Sequence, residues 1–491
     1  MAGSTQISLD ESTVRSVVEE VLRSLGQLNG PGPAPAAPGA NGGSTRSRRH
    51  FGLFDDAGEA ARAALDAFHQ LKEKGVAGRV KVVEIVKGLC EEKAVEWGRL
   101  EFEETKIGRL AHKIEKLQIV KLVPGVEWLK PYGLSGDHGI TLEEYTPFGV
   151  IGAITPVTHS IPTLSGNVVN IVAAGNAVVF NPHPSGARCA AVAVRAFNEA
   201  IHRELGIENL ICAVEHPTLD SFAALCKAPE IGLLCVTGGP GVVQAAMRSG
   251  KRAVCAGPGN PPVLIDDTAD IAKAARGIVH GGSYDNNLLC IGEKEIFVLD
   301  TVADRFIRAF KEAGAAQLNR SQLDRLTAEA FTDSKDAGGC SHPVLNRTLI
   351  GRDASELGRV AGISVAADTQ ILFAETDPDH PYVMEEQMMP MVPVVRVKSI
   401  EQGIEFAMKA EHGYKHSSII HSLNVDHMTA MARALDTTLF IKNGPCTAGL
   451  GLGGEGYLSY SIATTTGEGI TTPKTFTRTR RCVMVDNLKI Y

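Results

Sequence analysis

Between residues 149 and 256 the chain alternates five short apolar runs with four segments of helical spacing. The runs are Gly149–Thr155, Ala177–Phe180, Asn209–Val214, Ile231–Val236 and Arg252–Ala256, and the helical segments fall near 162–174, 185–204, 218–227 and 240–249. Parallel neighbours need a crossover of about a dozen residues, which each intervening helix supplies. Apolar runs this short, covered on both faces by those helices, specify an α/β chain with a parallel, doubly wound sheet. Ligands of such sheets gather at the carboxyl ends of the strands. Three loops are therefore candidates: Thr155-Pro-Val-Thr-His159, Asn181-Pro-His-Pro-Ser-Gly186 and Thr237-Gly-Gly-Pro-Gly241.

The alternation resumes after Pro261 with Val263–Ile265, a helix near 268–280 and the run Glu295–Leu299, so a second α/β unit is expected to about residue 440. Covering helices precede the first sheet. Ala60, Ala64, Ala67, Phe68 and Leu71 mark one; Val82, Val83, Ile85, Val86, Leu89 and Cys90 mark the next; Trp97 through Leu117 reads as one longer helix. With 491 residues, 44% of them hydrophobic and 51 glycines, the chain can bury a large core of tightly packed βα layers. A net charge of -7 argues against nucleic acid as the main partner. No apolar run is long enough to span a bilayer, and the polar opening Met1-Ala-Gly-Ser-Thr5 does not read as a signal peptide.

At the front, Val14, Val17, Val18, Val21, Leu22 and Leu25 share one helical face, opposite Arg15, Glu19, Glu20 and Arg23. A Gly/Pro/Ala-rich stretch over 29–45 follows, which cannot pack a core and reads as a flexible linker. A tethered amphipathic helix is expected to dock on another protein rather than fold back on its own domain. Its mixed charge disfavours a membrane surface. The Thr-rich tail over 471–483 is strand-like and suited to pairing with another subunit's edge.

Cys290 carries the chemistry. It lies in the loop-like run Ser283-Tyr-Asp-Asn-Asn-Leu-Leu-Cys290-Ile-Gly292, where a thiol can attack a carbonyl and hold an acyl group as a thioester. The other nine cysteines are scattered, mostly in apolar runs, with no Cys-x-x-Cys spacing. They read as buried reduced thiols of a reducing cytoplasm, and no metal-ligand cluster is expected. Taken singly, the other signals are weak. Thr237-Gly-Gly-Pro-Gly241 opens a helix after a strand, as phosphate sites do, but does not fit Gly-x-Gly-x-x-Gly. His159 and His183 suit loop or core histidines, and Glu386 suits a solvated helix end.

Their combination is specific. In order and spacing, residues 50–490 resemble the aldehyde dehydrogenase superfamily. The runs Ile154-Thr-Pro-Val-Thr-His-Ser160, Gly166-Asn-Val-Val-Asn170, Phe180-Asn-Pro-His-Pro-Ser-Gly186, Asp285-Asn-Asn-Leu-Leu-Cys290, Glu385-Glu-Gln-Met-Met-Pro390 and Phe476-Thr-Arg-Thr-Arg-Arg-Cys482 resemble its coenzyme A-acylating branch of bacterial microcompartments. The resemblance implies an encapsulation helix (1–28), a linker (29–47), a Rossmann-type cofactor domain (48–256, with an oligomerisation hairpin at 122–146) and a catalytic domain (257–445). A return segment (446–491) ends in an oligomerisation strand. It also implies NAD and coenzyme A as cofactors, a short-chain aldehyde as substrate, a shell protein bound through residues 7–26, and a homodimer or homotetramer. Cys290 matches the nucleophile. Thr155, Pro156, Asn181, Pro182, His183, Thr237, Gly238, Gly239 and Val242 match the dinucleotide site, and Glu386 matches the carboxylate that holds the nicotinamide ribose. His159 or Ser160 falls near the oxyanion-binding side chain. Asn181-Pro182 replaces the Lys-Pro of hydrolytic relatives.

The sequence departs from the hydrolytic relatives at one further place. Cys255-Ala-Gly-Pro-Gly-Asn-Pro261 stands where they carry Glu-Leu-Gly-Gly-Lys-Ser-Pro, so the general-base Glu is missing. A thioester without that base should wait for a better nucleophile, such as a thiol. Three rivals were weighed: a hydrolytic dehydrogenase, a reductase of acyl phosphates, and an inactive cargo or scaffold protein. The missing Glu, the N-terminal helix and the Cys290 constellation argue against them in turn. Deleting residues 1–28 should preserve the turnover of the soluble protein and abolish co-purification with shells; retained encapsulation would contradict the targeting role.

Overall fold

The computed structural model describes residues 50–335 and 341–486. The amphipathic segment 7–26 and its linker lie outside the described residues, as does Cys340.

The first sheet has six parallel strands in the order Leu53–Phe54, Ile211–Val214, Ala177–Pro182, Val150–Thr155, Ile231–Thr237 and Ala253–Ala256. The five expected strands are all present, and their helices run Ser160–Ala173, Ala187–Leu205, Leu219–Lys227 and Pro240–Arg248. From Val150–Thr155 the chain builds outward on one side, then returns to build on the other. The crevice between Val150–Thr155 and Ile231–Thr237 is thus the topological switch point, and Thr155 and Thr237 stand at its rim. The two-residue strand Leu53–Phe54 is too short to carry a readable period. Helix Ser160–Ala173 is buried along its whole length, and its sequence accordingly carries no charged residue.

The second sheet has seven parallel strands, ordered Ala315–Gln317, Ile371–Glu375, Met391–Val397, Glu295–Leu299, Pro262–Ile265, Ser417–His421 and Leu439–Lys442. The segment after it returns to the first sheet: Thr466 Oγ1 accepts the Cys255 N–H at 2.9 Å, and the Thr237 and Ser461 hydroxyls bond at 2.8 Å. A third, antiparallel sheet joins Tyr132–Gly136, Gly139–Pro147 and Thr477–Val485. The C-terminal strand pairs on one side with Gly139–Pro147, from Thr477 opposite Pro147 to Val485 opposite Gly139, and forms an edge of this sheet. The sheet leaves Tyr132, Leu134, Val483 and Val485 exposed.

The front helices depart from the sequence reading in one informative way. Ala57–Glu92 bends at Gly75 (φ 63°, ψ -154°), which separates the two expected apolar stripes. The single helix expected from Trp97 to Leu117 is two, Ala94–Thr105 and Leu110–Gln118. Lys106 ends the first in the left-handed region at φ 56°, and Gly108 turns the chain at φ +81°. The break admits a buried carboxylate: Arg109 N–H donates to Asp285 Oδ1 at 2.8 Å, and a Cβ on Gly108 would lie 2.2 Å from that oxygen. Gly108→Ala should therefore cost about 2–4 kcal/mol, combining left-handed strain with overpacking. Denaturant melts would check this. An unchanged midpoint would mean that the turn relaxes freely.

Candidate active site

The first sheet offers loops that follow its strands, and the second offers loops that precede its strands. Gly259–Pro261 precede Pro262–Ile265, Cys290 precedes Glu295–Leu299, Glu386 precedes Met391–Val397, and His416 precedes Ser417–His421. These loops converge. A Cβ on Gly259 would lie 2.6 Å from the Cys290 carbonyl oxygen and 2.8 Å from the His416 ring. The Gly259 backbone and the charge of Lys294 both favour ionisation of Glu386, but burial outweighs them and holds its carboxyl above the usual range. A cavity of about 290 Å³ opens beside this cluster, lined by Pro258, Gly413, Tyr414, Lys415, Thr464 and Thr465.

Cys290 crowns a tight loop. Asp285, Asn286 and Asn287, just before it, all adopt left-handed backbone at φ 49°, 58° and 62°. Each such residue costs about 1–2 kcal/mol, so three in a row persist only if their surroundings over-determine them. Asp285 accepts hydrogen bonds from Arg109 N–H and Lys116 Nζ, with Lys113 Nζ 3.6 Å away, and its own N–H donates to His112 Nδ1 at 2.8 Å. The Asn286 amide donates to Gly351 O and Asp353 Oδ1, both at 2.9 Å, and its Oδ1 accepts from Arg109 Nε. The Asn287 amide donates to Glu293 O at 3.0 Å, while Lys294 Nζ donates to both Asn287 O and Oδ1.

Behind this loop lies a fully buried ionic group. Lys113 Nζ donates to Glu101 at 3.0 Å and to Thr158 O at 2.7 Å, so one ammonium ties the loop after Val150–Thr155 to Asp285. The other Glu101 oxygen accepts from Ile161 N–H, in the first turn of Ser160–Ala173. Two lysines balance two carboxylates. Burial works against the Asp285 carboxylate, but Lys113 and Lys116 overcome it and hold the group well below the usual range.

His159 lies in this group. Its Nδ1 faces Lys116 Nζ at 2.8 Å, and burial with the two lysines pushes its pKa well down, leaving the ring neutral. The backbone of Leu288 bears on the same ring. These contacts make His159 a bridge between the 155–160 loop and the Cys290 loop. Ser160 is buried against Gly186 and the Pro156 and Val157 carbonyls.

The dinucleotide candidates divide. Thr155, Pro156, Asn181, Pro182, Thr237, Gly238 and Gly239 do gather at strand ends around the switch point. Gly239 is exposed and starts the helix Pro240–Arg248; a Cβ there would meet nothing within 4 Å, and one on Gly238 only the Val242 Cβ at 4.0 Å. That open glycine cradle at a helix N-terminus fits a pyrophosphate. Thr155 Oγ1 is buried without a protein partner. The Asn181 side chain, expected at the dinucleotide site, is engaged with Thr218 and Ser221 at the cap of Leu219–Lys227. His183 Nδ1 likewise accepts from Ser185 N–H. Cys255, where the base would stand, is buried, with its N–H on Thr466; burial pushes its thiol up to about 11, with a further push from Glu468.

The sequence reading missed the Lys113–Lys116–Glu101 group, Lys294, and the 411–416 and 464–468 segments. Lys113 and Lys116 carry a hint, because both would fall on a buried face at helical spacing. Nothing local marks the others.

Fold and site together define a thiol-dependent α/β enzyme with a dinucleotide-binding sheet. Residues 52–456 match the Aldehyde dehydrogenase family, so the chain belongs to that family. It is 41% identical to an acetylating acetaldehyde dehydrogenase of Salmonella typhimurium, covering 90% of this chain and 93% of the relative. A crystal structure of Rhodopseudomonas palustris propionaldehyde dehydrogenase with bound propionyl-CoA superposes with a TM-score of 0.86 at 40% identity, over 93% of this chain and all of that one. A propionaldehyde dehydrogenase from the Clostridium phytofermentans fucose utilisation microcompartment gives 0.85 at 42% identity, over 90% of this chain and all of that one.

Asp285→Asn would leave two lysines buried against one carboxylate, a loss of about 3–5 kcal/mol at neutral pH. The depressed carboxyl stabilises the fold fully above its unfolded value of 3.8, and this is lost as pH falls toward the folded value. The stability gap between wild type and D285N should therefore be widest near pH 7 and narrow below about pH 4. Urea melts at both pH values test this; a gap independent of pH would remove Asp285 from the charge balance.

Proposed function

We propose that this chain oxidises a short-chain aldehyde, propionaldehyde foremost, to its acyl-CoA with NAD and coenzyme A, through a thioester on Cys290. The observation that carries this reading is the pairing of a pre-organised thiol with a strand end at Cys255 that lacks a general base. The Cys290 sulfur attacks the aldehyde carbon, and the Cys290 backbone N–H would donate to the developing oxyanion. NAD, when bound, supplies the hydride acceptor that oxidation of the hemithioacetal to a thioester requires. Gly238, Gly239 and the first turn of Pro240–Arg248 would hold its phosphates, and Glu386 its nicotinamide ribose. The coenzyme A thiol then attacks the thioester carbonyl, and the Cys290 sulfur leaves. Water competes poorly, because no carboxylate extends from residue 255 to activate it. The similarity to microcompartment and acetaldehyde enzymes supports cytoplasmic cargo inside a protein shell, docked through residues 7–26, with acetaldehyde as the second substrate. The exposed apolar sheet of 132–147 and 477–485 supports assembly as a homodimer or homotetramer.

Purified protein given propionaldehyde and NAD should form NADH continuously only when coenzyme A is present, and Cys290→Ala should reduce turnover at least about a thousandfold. Equal sustained rates without coenzyme A would hand the reaction to the acid-forming alternative.

A further inference from the structure

We propose that Lys294 is a positioning residue for the nucleophile: its buried ammonium clamps the base of the Cys290 loop and supplies the positive charge against which the thiolate forms. This rests on Cys290 being the nucleophile. The loop from Asn287 to Lys294 is pinched at its base. Lys294 Nζ donates to Asn287 O at 2.7 Å and to Asn287 Oδ1 at 2.8 Å, and the Asn287 amide returns a bond to Glu293 O at 3.0 Å. Inside the pinch, Gly292 N–H donates to Leu289 O at 3.0 Å; a Cβ on Gly292 would come within 2.8 Å of Asn287 Oδ1. Cys290 stands at the crown. The Lys294 backbone is fixed as well, its N–H donating to Pro261 O and its carbonyl accepting from the Gln387 amide at 2.9 Å.

Lys294, Glu293 and Glu295 are all fully buried. Both Nζ bonds go to neutral oxygens of Asn287, so no direct carboxylate partner cancels the ammonium. Burial lowers the Lys294 ammonium's own pKa, with Glu386 and Cys290 opposing the fall, and it acts on the carboxyls around it as well. Burial holds Glu295 well above its ordinary value, raises Glu386, and brings Glu293 up to about 7. Burial also pushes the Cys290 thiol up to about 12, with Glu386 adding to the rise and Lys294 opposing it. A thiol in such surroundings needs a fixed cation to react near neutrality.

The test is the pH dependence of Cys290 alkylation by iodoacetamide, followed on its own peptide by mass spectrometry. The full-length wild type is compared with Lys294→Met, Lys294→Gln and Lys294→Arg. This reads thiolate formation without turnover, so it stands apart from the test of the reaction itself. The midpoint should rise by at least about one pH unit in K294M and K294Q, a tenfold or greater loss of alkylation rate at pH 7.5. K294R should stay near wild type. Turnover should fall in K294M mainly through kcat, with KM for aldehyde changed less. An unchanged midpoint in folded K294M would overturn the proposal even if kcat fell, because loop disruption alone would then explain the loss. Should K294M fail to fold, K294Q against K294R decides, since both retain a donor for Asn287 and only Arg retains the charge. Equal midpoints in those two would overturn it.

Discussion

The buried pairing of Asp285 with Lys113 and Lys116 is the interaction on which the site depends. It joins three parts of the chain that lie far apart in sequence: the covering helices, the loop after Val150–Thr155, and the turn that presents Cys290. Three consecutive left-handed residues would not persist in a free loop. Here every one of them is held by side chains from elsewhere, and the strain is answered within the fold. The same carboxylate explains why one expected helix is broken at Gly108.

The two sheets divide the labour. The first contributes the ends of its strands and an open glycine turn, as doubly wound sheets do at a switch point. The second contributes the starts of its strands, so the thiol, Glu386, Gly259 and His416 arrive from four successive loops onto one place. Chemistry that depends on a thiol staying acylated needs the position from which the hydrolytic relatives activate water to carry no carboxylate. Cys255, buried and bonded to Thr466, meets that need.

Much of this was legible in the sequence because it is local. Apolar runs separated by helices gave the first sheet, and the glycine turn after Ile231–Thr237 and the polar run before Cys290 stood out as loops. What was not legible was set at long range. The helical spacing of Lys113 and Lys116 hints at a buried face, but nothing local names their partner, Asp285, about 170 residues later. Asn181 and His183 lie at a ligand-facing strand end, yet their side chains turn to nearby helix caps. The loop sequence around His159 does not show that its ring is buried beside two lysines. The C-terminal segment was legible as a strand, but its pairing with Gly139–Pro147 was not.

The central claim is that Cys290 carries the acyl group and keeps it until a thiol arrives. Mixing the full-length protein with propionaldehyde and NAD in the absence of coenzyme A, quenching in acid and mapping peptides would test this most directly. A propionyl group confined to the Cys290 peptide, stable over many seconds and discharged on adding coenzyme A, is the predicted result. Free propionate accumulating with no acylated Cys290 peptide would contradict the account.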